Sequence, residues 1–393
     1  MKVILNDADA FRAMVTKVAP VVKDSVFSFL RKIKLEAENG ELTVTAANAE
    51  DFLILSLPGR VIEDGICFIE YDDLRKMNVK GFDITIDADD HYINIKSSGK
   101  SFKTANYDCS GLFPEAPEIN SSSKDFGCIG ADILSNLKPL SVMADAKATR
   151  TLMSTIRFDL DKQRLITLDG HRVGIWNLPH CGLCMKPFNI SLNAVGILKA
   201  AIEKNTDGNI GISCDGKNVR FYCYDFHDPH VVGFSYITKC IEGNYYSIDS
   251  LIETARKDYD YEFSVDGKEL AEISKEYKKG FNKDDMCPML FFGNKDSVMT
   301  AFNFGSFLTA DKFTSLKWEY YVNESNFFKG VNPVFIADAC AFLGEEISVR
   351  SNFSEKKPFY FSSDGDEKIV LILPVNIISD GNPLMSFAME QLQ

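Results

Sequence analysis

Apolar and polar positions along the chain alternate between two periods. Runs such as KIKLEAENGELTVTA change character at every second residue, which predicts two half-buried strands. The Glu38-Asn39-Gly40 stretch between them predicts a hairpin turn. Runs such as AFRAMVTKVAPVV instead repeat at three and four residues, the mark of an amphipathic helix. In 1–124 the order is helix (AFRAMVTKVAPVV), hairpin, extended run (DFLILSLPG), short helix (EYDDLRKMN) and strands (FDITIDADDHYINIKS, SFKTANY). The same order returns from residue 125: IGADILSNLKPLSVMADA is helical with a kink at Pro139, and STIRFDLDKQRLITLDGHRVGIWNLP is a hairpin. NAVGILKAAIEKN then forms a helix ending near Gly208, and IGISCDGKNVRFYCYD a hairpin turning at Asp215-Gly216. A looser third round has helices KELAEISKEYKKGF and GVNPVFIADACAFLG and strands EISVRSNF, PFYFSSD and KIVLILPV.

This pattern predicts an α+β chain of three similar domains in tandem, 1–124, 125–253 and 254–377, each of about 130 residues. FPEAPEINSSSK reads as the first linker. Residues 378–393 continue past the third domain as a tail carrying Leu384, Met385, Phe387, Met389 and Leu392, suited to folding back, lying on a partner, or fraying.

Composition narrows the classes. With 393 residues, 45% hydrophobic and 12% aromatic, the chain can bury several cores and is not broadly disordered. No run approaches the ~20 apolar residues of a membrane helix. The start, MKVILNDADAF, lacks the apolar core of a signal peptide, so a cytoplasmic location without membrane association is expected. Ten scattered cysteines then read as small buried hydrophobes.

A formal charge of −13 argues against holding nucleic acid by bulk attraction, but it permits a locally basic face. Basic residues gather on predicted helices: Arg12, Lys17, Arg75 and Lys76 in the first round, Lys138, Lys147, Lys199 and Lys204 in the second, Lys268, Lys275, Lys278 and Lys279 in the third. Acids gather on strands and loops, among them Glu36, Glu38, Asp87, Asp89, Asp90, Asp364, Asp366 and Glu367. Ordinary solvated helix faces account for this as well as helices facing a polyanion do.

Candidate chemistry is sparse. The loop Asp169-Gly170-His171-Arg172 interrupts the apolar run LITLDGHRVGIW, and Asp169, His171 and Arg172 would be the acid, base and anion clamp of a cytosolic enzyme. No G-x-S-x-G, Walker A, G-x-G-x-x-G or H-E-x-x-H motif supplies a nucleophile, phosphate cradle or metal, so packing or pocket roles are preferred. HCGLC at 180–184 with His227 and His230 offers zinc-type donors (His180, Cys181, Cys184), but only one Cys-x-x-Cys pair is present. The acidic DADD (87–90) and DGDE (364–367) lack EF-hand spacing and read as hairpin turns. No metal and no cofactor is expected.

In order and at matching spacing, LEAENGELTVTA (35–46), LFPEAPE (112–118), DGHR (169–172), IEGNYY (241–246), VNPVFIADAC (331–340) and LILPV (371–375) resemble the bacterial sliding clamp, the β subunit of DNA polymerase III. The resemblance spans the chain to about residue 377. It implies three DNA-clamp domains per chain and a head-to-tail homodimer closing as a ring, with helices lining a central hole and antiparallel sheets outside. It further implies a non-enzymatic processivity factor that encircles double-stranded DNA without sequence preference. Its partners would be the replicative DNA polymerase, a clamp loader and other proteins carrying a clamp-binding motif.

Carried over by motif position, a partner-peptide pocket between the second and third domains takes Gly170, His171, Arg172 and Val173 from the DGHR loop, with Leu168 preceding it and Met153 as wall. Tyr246 stands where the family usually has proline. Asn332 and Phe335 come from the third domain's second helix, and Leu371, Ile372, Leu373, Pro374, Val375 and Asn376 form the opposite wall. DNA contacts fall to Lys23, Arg75, Lys138, Lys147, Arg150, Lys199 and Lys275. The dimer contact falls to Phe102 and Thr104 of SFKTANY against the first helix of the third domain in the other copy. Leu168 replaces a small polar residue, Asn376 an arginine, and Asp24 the arginine of the first-domain loop. These departures and the tail also motivate an alternative, a diverged paralogue serving a different polymerase or a mobile element.

Overall fold

The computed structural model describes residues 1–23, 25, 27–77, 81–109, 111–119, 126–178, 185–202, 208–223, 233–281, 288–322, 325–377 and 382–392. The chain packs as two compact units, Met1–Leu137 with Cys181–Glu242, and Lys138–His180 with Gly243–Gln393.

The first unit holds two antiparallel sheets. One runs in the order Arg60–Glu63, Lys2–Leu5, Ile84–Ala88, Tyr92–Ser97, Lys100–Ala105. The other has eight strands: Phe126–Gly130, Asn209–Cys214, Asn218–Cys223, Gly233–Lys239, Asp51–Pro58, Glu41–Ala47, Lys32–Glu38, Gly65–Glu70. The predicted hairpin forms about Asn39 (φ 53°) and Gly40 (φ 82°), the pair of positive dihedrals a type I′ turn needs. Its strand Lys32–Glu38 buries Ile33, Leu35 and Ala37 and turns Lys34 and Glu36 away, as period-two patterning requires. Helix Ala8–Lys17 is capped by Asp7, whose carboxylate accepts from the Asp9 and Ala10 amides at 2.9 Å.

In the second unit an antiparallel run takes the order Thr155–Asp159, Arg164–Leu168, Arg172–Asn177, Lys368–Ile372, Phe359–Ser363, Glu346–Ser351, Tyr261–Asp266, Lys317–Tyr321. A four-stranded sheet is ordered Leu308–Lys312, Ser297–Asn303, Met289–Asn294, Phe327–Val331. Helices Gly267–Gly280 and Pro333–Leu343 pack together, capped by Asp266 and Asn332. Leu137–Ser141 follows Ala131–Ser135 after a break at Asn136, three residues before Pro139, whose ring cannot supply a helical N–H.

Sheet continuity explains the two units. Gly233–Lys239, of the second repeat, pairs with Asp51–Pro58 of the first, while Arg172–Asn177, also of the second, pairs with Lys368–Ile372 of the third. The second repeat therefore contributes to both units. Helix Asp249–Lys257, absent from the sequence reading, spans the expected 253/254 junction. The tail folds back: helix Pro383–Gln391, capped by Asn382, lays Leu384, Met385 and Ala388 on Leu290, Phe292, Met299 and Ala301 of the four-stranded sheet.

Candidate functional site

The DGHR loop is built around Asp169. One carboxylate oxygen accepts the His171 and Arg172 amides, each at 2.9 Å, and the other accepts Arg172 Nε at 2.9 Å. The Asp169 amide closes the turn on the Arg172 carbonyl at 3.3 Å, and Gly170 takes φ 89°, which a side chain would resist. Arg172 reaches further. Its Nη1 donates to Asp338 Oδ2 at 2.8 Å, its Nη2 to the Val142 carbonyl at 2.9 Å, and its guanidinium lies 4.3 Å from the Phe335 ring centre. Expected at a pocket rim, Arg172 is 7% exposed and ties the loop to helix Pro333–Leu343. Burial without these partners would be costly for a guanidinium, which explains why all three faces of its fork are engaged.

Strand alternation then sorts the candidate residues. Val173 pairs with Leu371, Ile175 with Ile369, Leu168 with Val173 and Ile166 with Ile175, so these side chains share one sheet face. There they form an apolar cluster with Ile248 and Tyr360, against which Met153, Tyr245, Tyr246, Ile252 and Ala255 pack. Arg172 pairs with Ile372 and faces the other way. Ile372, assigned to the pocket wall, is fully buried on that opposite face, because consecutive residues of a strand cannot both line one surface.

The loop tip and the strand end meet next to this face. The Leu373 amide donates to the His171 carbonyl at 2.9 Å, and the Val375 amide to the Gly330 carbonyl at 2.8 Å. His171 is exposed and stacks on Phe335 with ring centres 6.2 Å apart. Leu373 is 42% exposed, Asn376 is exposed, and Pro374 and Val375 are half-buried. Asn332 spends its side-chain oxygen capping helix Pro333–Leu343, accepting from the Val334 amide at 2.9 Å. Met153 lies in a 3-10 turn, Thr151–Ser154, and not on a strand; its Cε is 3.5 Å from where a Cβ on Gly170 would stand. Leu168, Val173 and Leu371 are covered by the chain itself, so the surface offered outward is Leu373, Pro374, Val375, His171 and the half-buried Met153 and Tyr246.

Several contributors escaped the sequence reading. Tyr245 donates to the Ile166 carbonyl at 3.5 Å with Arg157 over its ring, and burial pushes its phenol above the usual range. Ile248, Ile252 and Ala255 follow the i, i+4, i+7 spacing of a helix face, a signal present in SIDSLIETARK. Asp338 is a lone acid in the apolar helix PVFIADACAFL, which itself points to a buried partner. A cleft of about 750 Å³ opens beside this face, with Ile175, Ile252 and Ile369 in its lining and Arg164, Asp249, Arg256 and Asp366 around them. Asp366, from the acidic DGDE segment, is engaged there by Arg256 at 3.1 Å and Arg350 at 3.7 Å, in a tight turn as expected.

Lys23, Arg75, Lys138, Lys147, Arg150, Lys199 and Lys275 are all exposed, although Lys147 and Arg150 lie on a loop and not on a helix. Lys17, read as part of a basic face, is buried. Phe102 is half-buried on Lys100–Ala105, the edge strand of its sheet, and Thr104 is buried with its hydroxyl donating to Asp73 at 2.9 Å. His180, Cys181, Cys184, His227, His230, Lys204 and Asp24 lie outside the described residues. Among the described residues no cluster of His, Cys, Asp or Glu is arranged to hold a metal ion, and no helix is long and apolar enough to cross a membrane.

No protein-family model matches the chain, and no curated protein matches it by sequence. Solved structures do match, from end to end. The DNA polymerase sliding clamp of Bacillus subtilis superposes with a TM-score of 0.81 at 17% identity, covering 96% of this chain and 99% of the other. The β subunit of the Streptococcus pyogenes DNA polymerase gives 0.81 at 14% identity, covering 96% and 100%. The Helicobacter pylori β clamp, solved with a DNA ligase peptide, gives 0.77 at 17% identity, covering 96% and 100%. The chain therefore has the α+β fold of the bacterial DNA polymerase III β subunit, the sliding clamp.

Proposed function

We propose that the protein is a DNA sliding clamp, a non-catalytic processivity factor that encircles duplex DNA and tethers a replicative polymerase. The observation that carries this reading is the end-to-end likeness to clamp structures, within which the DGHR loop is hydrogen-bonded to the LILPV strand end. The repeats 1–124, 125–253 and 254–377 are three clamp domains, the second junction running through helix Asp249–Lys257. Two copies close head to tail, with the edge strand Lys100–Ala105 and its Phe102 as one side of the contact. Exposed Lys23, Arg75, Lys138, Lys147, Arg150, Lys199 and Lys275 attract phosphates without reading bases, and retention comes from closure. An enzymatic use of the loop is disfavoured, since both Asp169 oxygens and all three Arg172 nitrogens are spent on the fold.

Partner peptides, from the polymerase, the clamp loader and other clamp-binding proteins in the cytoplasm, dock on His171, Leu373, Pro374 and Val375 beside the apolar cluster against which Met153 and Tyr246 pack. An extended segment gains apolar contact there while Gly170 permits close backbone approach. The test pairs assembly with docking. Sedimentation is expected to give twice the 44.0 kDa chain mass. Leu373→Ala with Pro374→Ala is expected to abolish binding of a clamp-binding peptide while leaving the dimer intact. Unchanged peptide binding removes the site assignment, and a strict monomer at micromolar concentration removes the ring.

A further inference from the structure

The eight-stranded sheet of the first unit has a second face, opposite its buried positions Ile33, Leu35, Val44 and Leu55. On it, cross-strand pairing sets two rows side by side: Ile54, Thr45, Lys34 and Phe68 in one, Thr43, Glu36 and Ile66 in the other. The chain leaving strand Lys100–Ala105 crosses in front of these rows and is pinned there. Asn106 Oδ1 accepts the Phe68 amide at 3.0 Å, its Nδ2 donates to the Asp89 carbonyl at 2.7 Å, and the Tyr107 amide donates to the Phe68 carbonyl at 3.1 Å. Further along, Phe113 packs on Phe68 with ring centres 5.5 Å apart, and with Ala116 it covers Ala47, Phe52 and Ile237.

Between strap and sheet lies a cleft of about 790 Å³, within the size range of peptide and small-molecule sites. Its floor is mixed, with Thr43, Thr45, Lys34 and Glu36 lying between Ile54 and an apolar patch of Phe68 and Ile66 on the sheet's last strand, where Ile66 is 48% exposed. Among its described lining residues are four carboxylates, Glu36 on the floor and Asp90, Asp108 and Glu115 on the walls, against the cation of Lys34, which already bonds Glu36 at 2.8 Å. This lining repels nucleic acid. A purely apolar occupant would desolvate the acids without replacing their partners, at a cost. A ligand with an apolar body and positive ends satisfies both.

We infer that this cleft binds a short basic segment of a partner protein, seating one aliphatic or aromatic side chain on the neighbouring Ile66 and Phe68 and directing Lys or Arg side chains to Asp90 and Glu115. The site stands apart from the DGHR loop and does not depend on the clamp reading.

The experiment measures fluorescence anisotropy of a labelled pentapeptide, Arg-Phe-Lys-Leu-Arg, against the full chain, with Glu-Phe-Glu-Leu-Glu as its counterpart. Saturable binding of the basic peptide is expected, about tenfold or more tighter than the acidic one and weakening with added salt. Ile66→Lys, and separately Asp90→Lys with Glu115→Lys, should each weaken it by about tenfold at unchanged thermal unfolding, since these side chains are exposed. Leu373→Ala with Pro374→Ala should leave it unchanged. Equal affinity for the two peptides, absence of saturation, or indifference to the cleft variants overturns the assignment. If Ile66→Lys instead halves the sedimenting mass, the face contacts a second copy and the peptide assignment fails.

Discussion

Arg172 and Asp338 lie 166 residues apart in the chain and meet through a 2.8 Å bond between Nη1 and Oδ2. With Asp169 on the other edge of the guanidinium, the pair fixes the DGHR loop to the helix behind it. Removing the arginine leaves two carboxylates without their cation in a largely dry site. Arg172→Ala is expected to lower stability by about 3 kcal/mol in urea denaturation. Arg172→Lys should recover only part of this, because an ammonium cannot span Asp169, Asp338 and the Val142 carbonyl together. A loss below about 1 kcal/mol, the size of a surface ion pair, would contradict the tether.

Gly170 tests the loop more gently. An alanine there would hold φ 89° at a conformational cost of about 1 kcal/mol. Its Cβ would meet Met153 Cε only at ordinary contact distance, 3.5 Å, so no clash adds to the strain. The chemical-denaturation midpoint of Gly170→Ala should fall accordingly, whereas a much larger loss would indicate crowding that this geometry does not contain.

Lys329 gives stability a pH dependence. It is 1% exposed, donates to Ser351 Oγ and the Lys357 carbonyl at 2.6 Å each, and burial pulls its amine from 10.5 down to about 7. Between those values the unfolded chain holds a proton that the folded chain has released, so stability rises with pH across that window. Below about 7 both states are charged and this contribution is flat. Unfolding free energies of the wild type and Lys329→Met, compared from pH 6 upward, should differ in slope above about 7, the variant lacking the rise. Parallel curves would show that the buried amine keeps its proton.

The tail helix occupies the four-stranded sheet and not the apolar face beside the DGHR loop. Deleting residues 378–393 should therefore leave clamp-peptide affinity unchanged while exposing Leu290, Phe292, Met299 and Ala301. Increased binding of a hydrophobic dye and a lower unfolding temperature are expected. Tighter peptide binding after truncation would instead reveal an autoinhibitory tail.

How much of this was legible beforehand differs by element. The hairpin at Asn39-Gly40 and the helices after Asp7, Asp266 and Asn332 follow from local turn and cap chemistry, so residue order suffices to place them. The strand pairings Gly233–Lys239 with Asp51–Pro58 and Arg172–Asn177 with Lys368–Ile372 join distant segments whose partners no local periodicity names. That is why three repeats appear as two compact units. At the candidate site, the sequence pointed to the apolar run Leu371–Val375 but not to its alternation, which turns Ile372 away. Arg172 read as a rim residue because a charged loop looks exposed until the buried Asp338 is known.

Topological retention on DNA tests the central claim most directly. Placed on nicked circular duplex DNA with a bacterial clamp loader, the protein should stay bound through a high-salt wash that screens phosphate contacts, and should be released once the circle is cut open. Equal release from circular and linear DNA under the same wash would contradict encirclement.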